Sequence, residues 1–366
     1  MTLYVIITFI LAVALFVSTT SEATQVAYAN LIQKPDKDAL RFKKNSTVFV
    51  ILFLLLLWAL TAFRAPEIGN DTKNYIYFYN TIGATGFNNE IEVEVGYIIY
   101  CIVLNFLGFS AQQYLIITAT ICWLGVGIYI LKYSKNILFS LCLAFCFCFS
   151  NFTNILRQDI AMVIILYVYV LFKQKKYVRS FLLLVLAGLF HTSAFCFILI
   201  YFYNFFPKKS KTVVILCFII ILASVSGLIT TLLAEILPEY YNYFFGKYSG
   251  TGYLAVAVAV IRSLVFYIVL YCATKGSKDR ESKIIYGNGF LALLFICFGF
   301  TVNLFSRITF YFLFPMIVDI PNSLYSGQFK KRNRWIILIG LILLAYFIVS
   351  IIMRPEWNNL YPYKFW

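Results

Sequence analysis

Apolar residues fill positions 3–19, 47–63, 96–109, 112–131, 137–151, 155–172, 180–206, 212–233, 253–273, 284–300, 308–323 and 335–353, and polar residues gather at the joints between them. Most runs are continuous for about 15–22 residues, the length at which an α-helix crosses a hydrocarbon core. They do not alternate in short polar and apolar steps, as barrel strands would. In lipid the backbone must satisfy its own hydrogen bonds, so the pattern predicts helices throughout. The expected architecture is an all-α integral membrane protein, a polytopic bundle of about 11–14 transmembrane helices in one domain over 1–366.

Two stretches resist simple counting. The 27 residues of 180–206 lie between basic clusters and must cross an even number of times. Two straight spans need about 40 residues, so a short hairpin turning near 188–192 is expected. Four runs join the loop 64–94 to the basic cluster at Lys173, where parity demands an odd number. One of them is therefore re-entrant or broken. Backbone of that kind is tolerated at depth where it lines a cavity, which points to a polar cavity at one end. No internal repeat is visible.

Composition supports this class. The chain of 366 residues is 62% hydrophobic and 12% charged, about half the charged share of a soluble domain. Its net charge of +15 would suit nucleic acid, but 22 of the 30 Lys and Arg fall in short clusters between apolar runs. These are 34–44, 132–135, 173–179, 208–211, 275–283 and 330–334, the signature of cytoplasmic loops. Nucleic acid is thus excluded as a partner, and membrane lipid takes its place. The loop 64–94 is net acidic and faces outward on this reading, as does 235–252 with Pro238, Gly246, Gly250 and Gly252. The run 3–19 lacks a charged leader and reads as a retained helix. Nine cysteines lie within apolar runs; Cys142, Cys146 and Cys148 have no acid or histidine beside them, so they read as buried thiols and not as a metal site.

A few residues are out of place in lipid. Arg157 opens the run 155–172, with Asn154, Gln158 and Ala161 on its face by helical spacing, while Asp159 points elsewhere. It needs an anion, from a protein carboxylate or a ligand phosphate, unless it only snorkels to the headgroups. Arg262 lies midway along 253–273, where a charge costs about 2.5–3.5 kcal/mol, and so should face the interior or a wet cavity. Arg307 opens the next-to-last run. His191, the one histidine, sits at the expected hairpin turn, and a lone histidine there is either a packing residue or a functional one. Asp71 and Glu94 flank the outward loop. Together these cations and acids converge on one membrane face and suit an anionic, phosphate-bearing lipid substrate.

The order of short motifs resembles the EpsG/Wzy-type polysaccharide polymerases. It runs Gly69-x-Asp71-x-x-x-Tyr75, Glu94-x-Gly96-Tyr97, Asn154-x-x-Arg157-Gln158-x-x-Ala161, then His191-x-Ser193-Ala194, with Lys132-Tyr-Ser134 and Pro362-Tyr363 as further agreements. The resemblance covers about residues 45–320. It implies a GT-C-like membrane glycosyltransferase at the outer face of the bacterial cytoplasmic membrane. Such enzymes join undecaprenyl-diphosphate-linked repeat units into O-antigen, capsule or exopolysaccharide, beside a flippase and a chain-length regulator.

The chemistry needs cations for the departing diphosphate and a base for the acceptor hydroxyl. The residues expected to serve it are Arg157, Arg262 and Arg307 for the diphosphates, and His191, Glu94 and Asp71 for base or sugar contact, in that order. Asn154, Gln158, Tyr75 and Tyr97 complete the substrate contacts. The Asp-x-Asp pair Asp36-Lys37-Asp38 falls in the basic cluster 34–44, on the side away from the outward loop, so no metal and no cofactor are expected. The rival readings are an O-antigen ligase-type transferase, a lipid-linked oligosaccharide flippase and a membrane O-acyltransferase.

Overall fold

A computed structural model describes residues 1–20, 37–87, 91–207, 209–236, 252–326 and 331–366, together with 241, 245 and 329. The chain is helical throughout these residues. In order the helices are α1 (Thr2–Thr20), α2 (Lys37–Ala62), α3 (Thr72–Thr85), α4 (Val95–Phe106), α5 (Ala111–Tyr133), α6 (Ile137–Cys148) and α7 (Leu156–Lys173). There follow α8 (Tyr177–Phe190), a 3-10 segment (Thr192–Phe205), α9 (Ser210–Val225), α10 (Leu228–Ile236), α11 (Tyr253–Thr274), α12 (Arg280–Phe298), α13 (Asn303–Leu324) and α14 (Arg332–Met353). The expected loop 235–252 falls mostly outside the described residues.

Among the described residues six helices are long and apolar enough to cross a membrane: α1, α2, α5, α11, α12 and α14. The pair α9–α10, bent by 76°, makes a seventh if it is one span. By length and composition alone this is fewer than the eleven to fourteen expected, because α4, α6 and α8 are short and α7 carries Arg157, Asp159 and Lys173, although α6 and α7 still run between the two ends of the bundle. The runs α4, α6 and α8 give only 12, 12 and 14 helical residues. The centre of the bundle is held by α6, α7 and α13, which are buried around most of their circumference, as helices that are apolar on all sides should be. One contiguous core runs through them, and a smaller one sits beneath α3 and α4.

Both counting problems have a geometric answer. Ser180 Oγ lies 2.6 Å from the Tyr201 hydroxyl, so 180–206 is a hairpin with His191 at its turn. Its return leg is 14 residues of 3-10 helix, kinked at Phe202. At about 2.0 Å per residue that leg reaches ~28 Å, against about 21 Å for the same number in α-helix. The tighter helix makes up most of the missing length.

The run that does not traverse the bundle is 96–109. Glu94 at the start of α4 touches His191, while beyond its end Phe109 O accepts from the Tyr79 hydroxyl. Gln112 then donates to Ala62 O at 2.7 Å. Both ends of α4 therefore lie at the end of the bundle where α2 finishes. That leaves α5, α6 and α7 to reach Lys173, an odd number.

The basic clusters gather at the other end. Lys173 pairs with Glu281 at 2.8 Å and with buried Asp319 at 3.5 Å, and Tyr169 donates to Asp319 at 2.6 Å. Lys135 N donates to Asn322 and Asn333 to Thr19 O, each within 2.8 Å.

The final residues fold back across the non-basic end. Ala65 N donates to Lys364 O and Trp366 N to Phe63 O, both at 2.9 Å. Leu360 O accepts from the Tyr4 hydroxyl at 2.8 Å. This C-terminal strap ties α1, the end of α2 and the loop after it into one cap.

Candidate active site

The expected site residues all lie at the strapped end, in two adjoining groups. The first lines a cavity of about 660 Å³. Asp71, Asn154, Arg262 and Arg307 contribute to its wall, with Tyr346 from α14 and Trp357 and Asn358 from the strap. Arg262 reaches it from the middle of α11, its guanidinium 5.4 Å from the centre of the Phe147 ring. Arg262 Nε is buried without a hydrogen-bond partner, and neither Arg262 nor Arg307 forms an ion pair among the described residues. The cavity thus presents two uncompensated cations, with Asp71 the carboxylate on its wall.

The second group is a tight polar knot. Glu94 Oε1 lies 2.7 Å from His191 Nδ1 and accepts from Thr192 N at 3.1 Å. Its other oxygen, Oε2, takes the Arg157 guanidinium. Tyr97 lies flat beneath that guanidinium, 5.9 Å from ring centre to Cζ, and spends its hydroxyl on Tyr114 at 2.9 Å. Tyr75, also buried, lies close to Arg157. Arg157, Glu94 and His191 remain partly open, with side chains 21%, 15% and 25% exposed. The two groups meet where Gln158 donates to Arg307 O at 2.9 Å.

The sequence folds locally to make this knot. His191 breaks out of α8 with extended backbone, which frees Thr192 N to point at a carboxylate. Glu94 is likewise extended, at the N-cap of α4. Gly96 lets the two meet: a Cβ there would come within 2.7 Å of Leu189 O. Only a bare backbone brings the start of α4 close enough to the end of α8 for Glu94 to reach His191.

Burial alone would raise the Glu94 carboxyl. The hydrogen bond from His191 and the charge of Arg157 outweigh it and hold the group down at about 2. Ionised, Glu94 can only accept, so His191 Nδ1 carries the proton and Nε2 is left as the basic nitrogen of the neutral ring. A carboxyl so acidic is a poor base near neutrality.

One residue sits differently from what helical spacing suggests. Asn154 precedes α7 in a non-helical link and does not share a face with Arg157. It accepts from Asn70 N at 2.5 Å and donates to Ser150 O, Thr153 Oγ1 and Asn358 O. It therefore ties the loop, the end of α6 and the strap together. Gly69, in the same motif as Asp71, has φ of +85° and packs so close that a Cβ would lie 2.0 Å from Thr153 O. Asp159 is fully buried, away from Arg157 as expected, with neither carboxylate oxygen hydrogen-bonded. The compensating charge near it is the buried Arg64, which burial draws down to about 10.

Sequence reasoning did not find Ser193 and Tyr311, whose hydroxyls lie 3.1 Å apart beside the knot, nor the strap residues of the cavity wall. Ser193 stood in a quoted motif and Tyr311 lies one helical turn beyond Arg307, but neither Tyr311 nor Trp357 was itself singled out.

The fold and these two groups define a polytopic membrane protein with a polar, cation-bearing pocket at one end. The chain belongs to the EpsG family, whose model matches residues 47–365. No curated protein and no solved structure matches it, so nothing in these comparisons supports the expected GT-C-like likeness.

Proposed function

We propose that this protein is a polysaccharide polymerase of the Wzy type, a glycosyltransferase that joins lipid-diphosphate-linked oligosaccharide units. Membership of the EpsG family supports a polysaccharide-related membrane role. The observation that carries the reading is the Glu94 carboxylate, shared between His191 and Arg157, beside a cavity lined by Arg262 and Arg307. A base and a diphosphate site are the two requirements of the reaction, and they stand next to each other here.

In the proposed step an acceptor sugar hydroxyl attacks the anomeric carbon of the donor chain. His191 Nε2 takes the hydroxyl proton as the new C–O bond forms. The bond from that carbon to the diphosphate oxygen breaks, and the lipid diphosphate leaves with the electron pair. Arg262 and Arg307 stabilise the charge as it develops. Glu94 orients His191, the role a buried carboxylate plays beside a catalytic imidazole. Arg157 holds Glu94, Gln158 holds the backbone of Arg307, and Asp71 offers a sugar contact. Tyr75 and Tyr97 support Arg157 from beneath.

On this reading the site end faces outward from the cytoplasmic membrane, and the donor and acceptor are undecaprenyl-diphosphate-linked oligosaccharides. A flippase and a chain-length regulator are the partners. The described residues contain no group of three His, Cys, Asp or Glu that could hold a metal, and the proposed step uses none.

The test is reconstitution. The purified chain in nanodiscs, given authentic lipid-linked units and EDTA but no nucleotide sugar, should produce a ladder of longer products. His191→Ala should slow it by about 10²–10⁴-fold, the usual contribution of general base catalysis. Absence of a ladder, with transfer of the unit across the bilayer instead, would favour a flippase. A ladder abolished by EDTA would keep the enzyme and overturn the metal-free step.

A further inference from the structure

The polar cavity has a side door. A second cavity of about 240 Å³ lies between α11 and α14, lined by Val258, Ile261, Val265, Trp335, Leu338 and Ile342 among others. Its walls are almost wholly apolar. The two cavities share Ala259, Arg262, Leu343 and Tyr346, so the apolar groove begins where the polar one ends. It also opens on the perimeter of the bundle: Ile261 and Ile342 are 62% and 58% exposed.

The groove has a direction. From Leu343 it descends to Trp335, toward the basic end, along about 12 Å of α14 at 1.5 Å per residue. At its upper mouth stands Arg262, with an unsatisfied, buried Nε. A charge placed so deep in a membrane helix is costly and needs an anion or water. The same residue therefore faces a polar chamber on one side and a lipid-facing slot on the other. That is the shape of an amphiphile with one anionic head and one long tail.

We infer that the groove between α11 and α14 holds the hydrocarbon chain of a single-chain lipid phosphate, whose phosphate sits at Arg262 and whose head group enters the polar cavity. The inference rests on the proposed function for the identity of the head group, but the groove and its junction stand on their own geometry. A single slot bounded by one helix on each side admits one tail, which favours an isoprenoid-type lipid over a two-tailed phospholipid. The substrate then arrives sideways from the bilayer and never crosses water.

The experiment uses the full chain in nanodiscs and an isoprenoid diphosphate carrying a diazirine near the middle of its tail. Photolabel should map to 258–266 and 335–346. Val265→Trp and Leu338→Trp, which fill the groove, should each cut labelling at least tenfold and raise KM for a long-chain donor. A donor with a short, water-soluble tail should be used as well as by the wild type. Excess phosphatidylglycerol should not displace the label, and the neutral isoprenoid alcohol should label at least tenfold less. Label mapped elsewhere on the wild-type chain, or displaced by phosphatidylglycerol, overturns the groove whether or not the tryptophan variants fold. Lengthening that persists in that event leaves the polymerase reading intact. Label in the groove without any lengthening keeps the groove and removes the polymerase.

Discussion

His191 Nδ1 and Glu94 Oε1 lie 2.7 Å apart although 97 residues separate them in the chain. Both belong to backbone that has left the helix, one at the turn of the α8 hairpin and one at the N-cap of α4. The contact fixes the tautomer of the ring and aims Nε2 away from the protein carboxylate. Its value to the proposed reaction rests on Glu94 staying ionised.

That ionisation has a pH signature. The folded carboxyl sits at about 2, below its ordinary 4.5. A depressed acid contributes stability that is fully present above the unfolded value and lost as pH falls through the folded one. Glu94→Gln should therefore lower the thermal midpoint most near neutrality, with the deficit shrinking as pH drops from about 4.5 toward 2. It should also reduce lengthening about 100-fold or more, since the imidazole loses its orienting charge. Thermal scans across pH on both proteins check the first part. A deficit that is constant across the range would show that Glu94 is not held low by its neighbours.

Arg157→Lys should lower activity at least tenfold with the protein level unchanged. The guanidinium holds Glu94 and lies over Tyr97, and a point charge on a flexible stem does not replace a planar fork. Complementation with product-length analysis on gels reads this directly. Normal chain length in the lysine variant would return Arg157 to a snorkelling role.

Gly96→Ala should behave as a positioning defect. The added methyl meets Leu189 O and pushes the start of α4 away from His191. Displacement of a catalytic group by about 1 Å costs on the order of 100-fold. The loss should fall on kcat, with lipid-donor KM little changed, because Gly96 lies outside the cavity wall. A variant with wild-type kcat would mean that α4 can shift without disturbing the knot.

Topology gives the coarsest check. On a cysteine-free background, Thr85→Cys should react with an impermeant thiol reagent from outside the cell, and Lys176→Cys only after the inner face is exposed. Thr85 belongs to the strapped end and Lys176 to the basic end. Labelling of Thr85→Cys from the inner face alone would invert the bundle and remove the site from its substrate.

Much of this arrangement is legible along the chain, and its gaps have physical causes. Apolar run length announces helices, and the excess of charges in short joints separates the two ends. The need for a turn at 188–192 follows from the residue count, and His191 indeed occupies it. Run length does not say whether an apolar segment crosses: 96–109 packs at one end, because Gln112 and Glu94 anchor both of its flanks there. Nor can spacing pair Arg157 with Glu94, since that contact depends on Gly96 admitting Leu189. Helical periodicity also misplaces Asn154, which lies in the broken link before α7.

The strap leaves a mark on the protein's history as well as its shape. Leu360 and Tyr4, joined by a hydrogen bond across 356 positions, close the chain into a ring at the end that carries the site. Trp357 and Asn358 supply part of the cavity wall, so that wall is missing while the chain is still emerging from the ribosome. The pocket is finished only when residues 355–366 are in place, because helices α1 to α14 alone leave that part of the wall open.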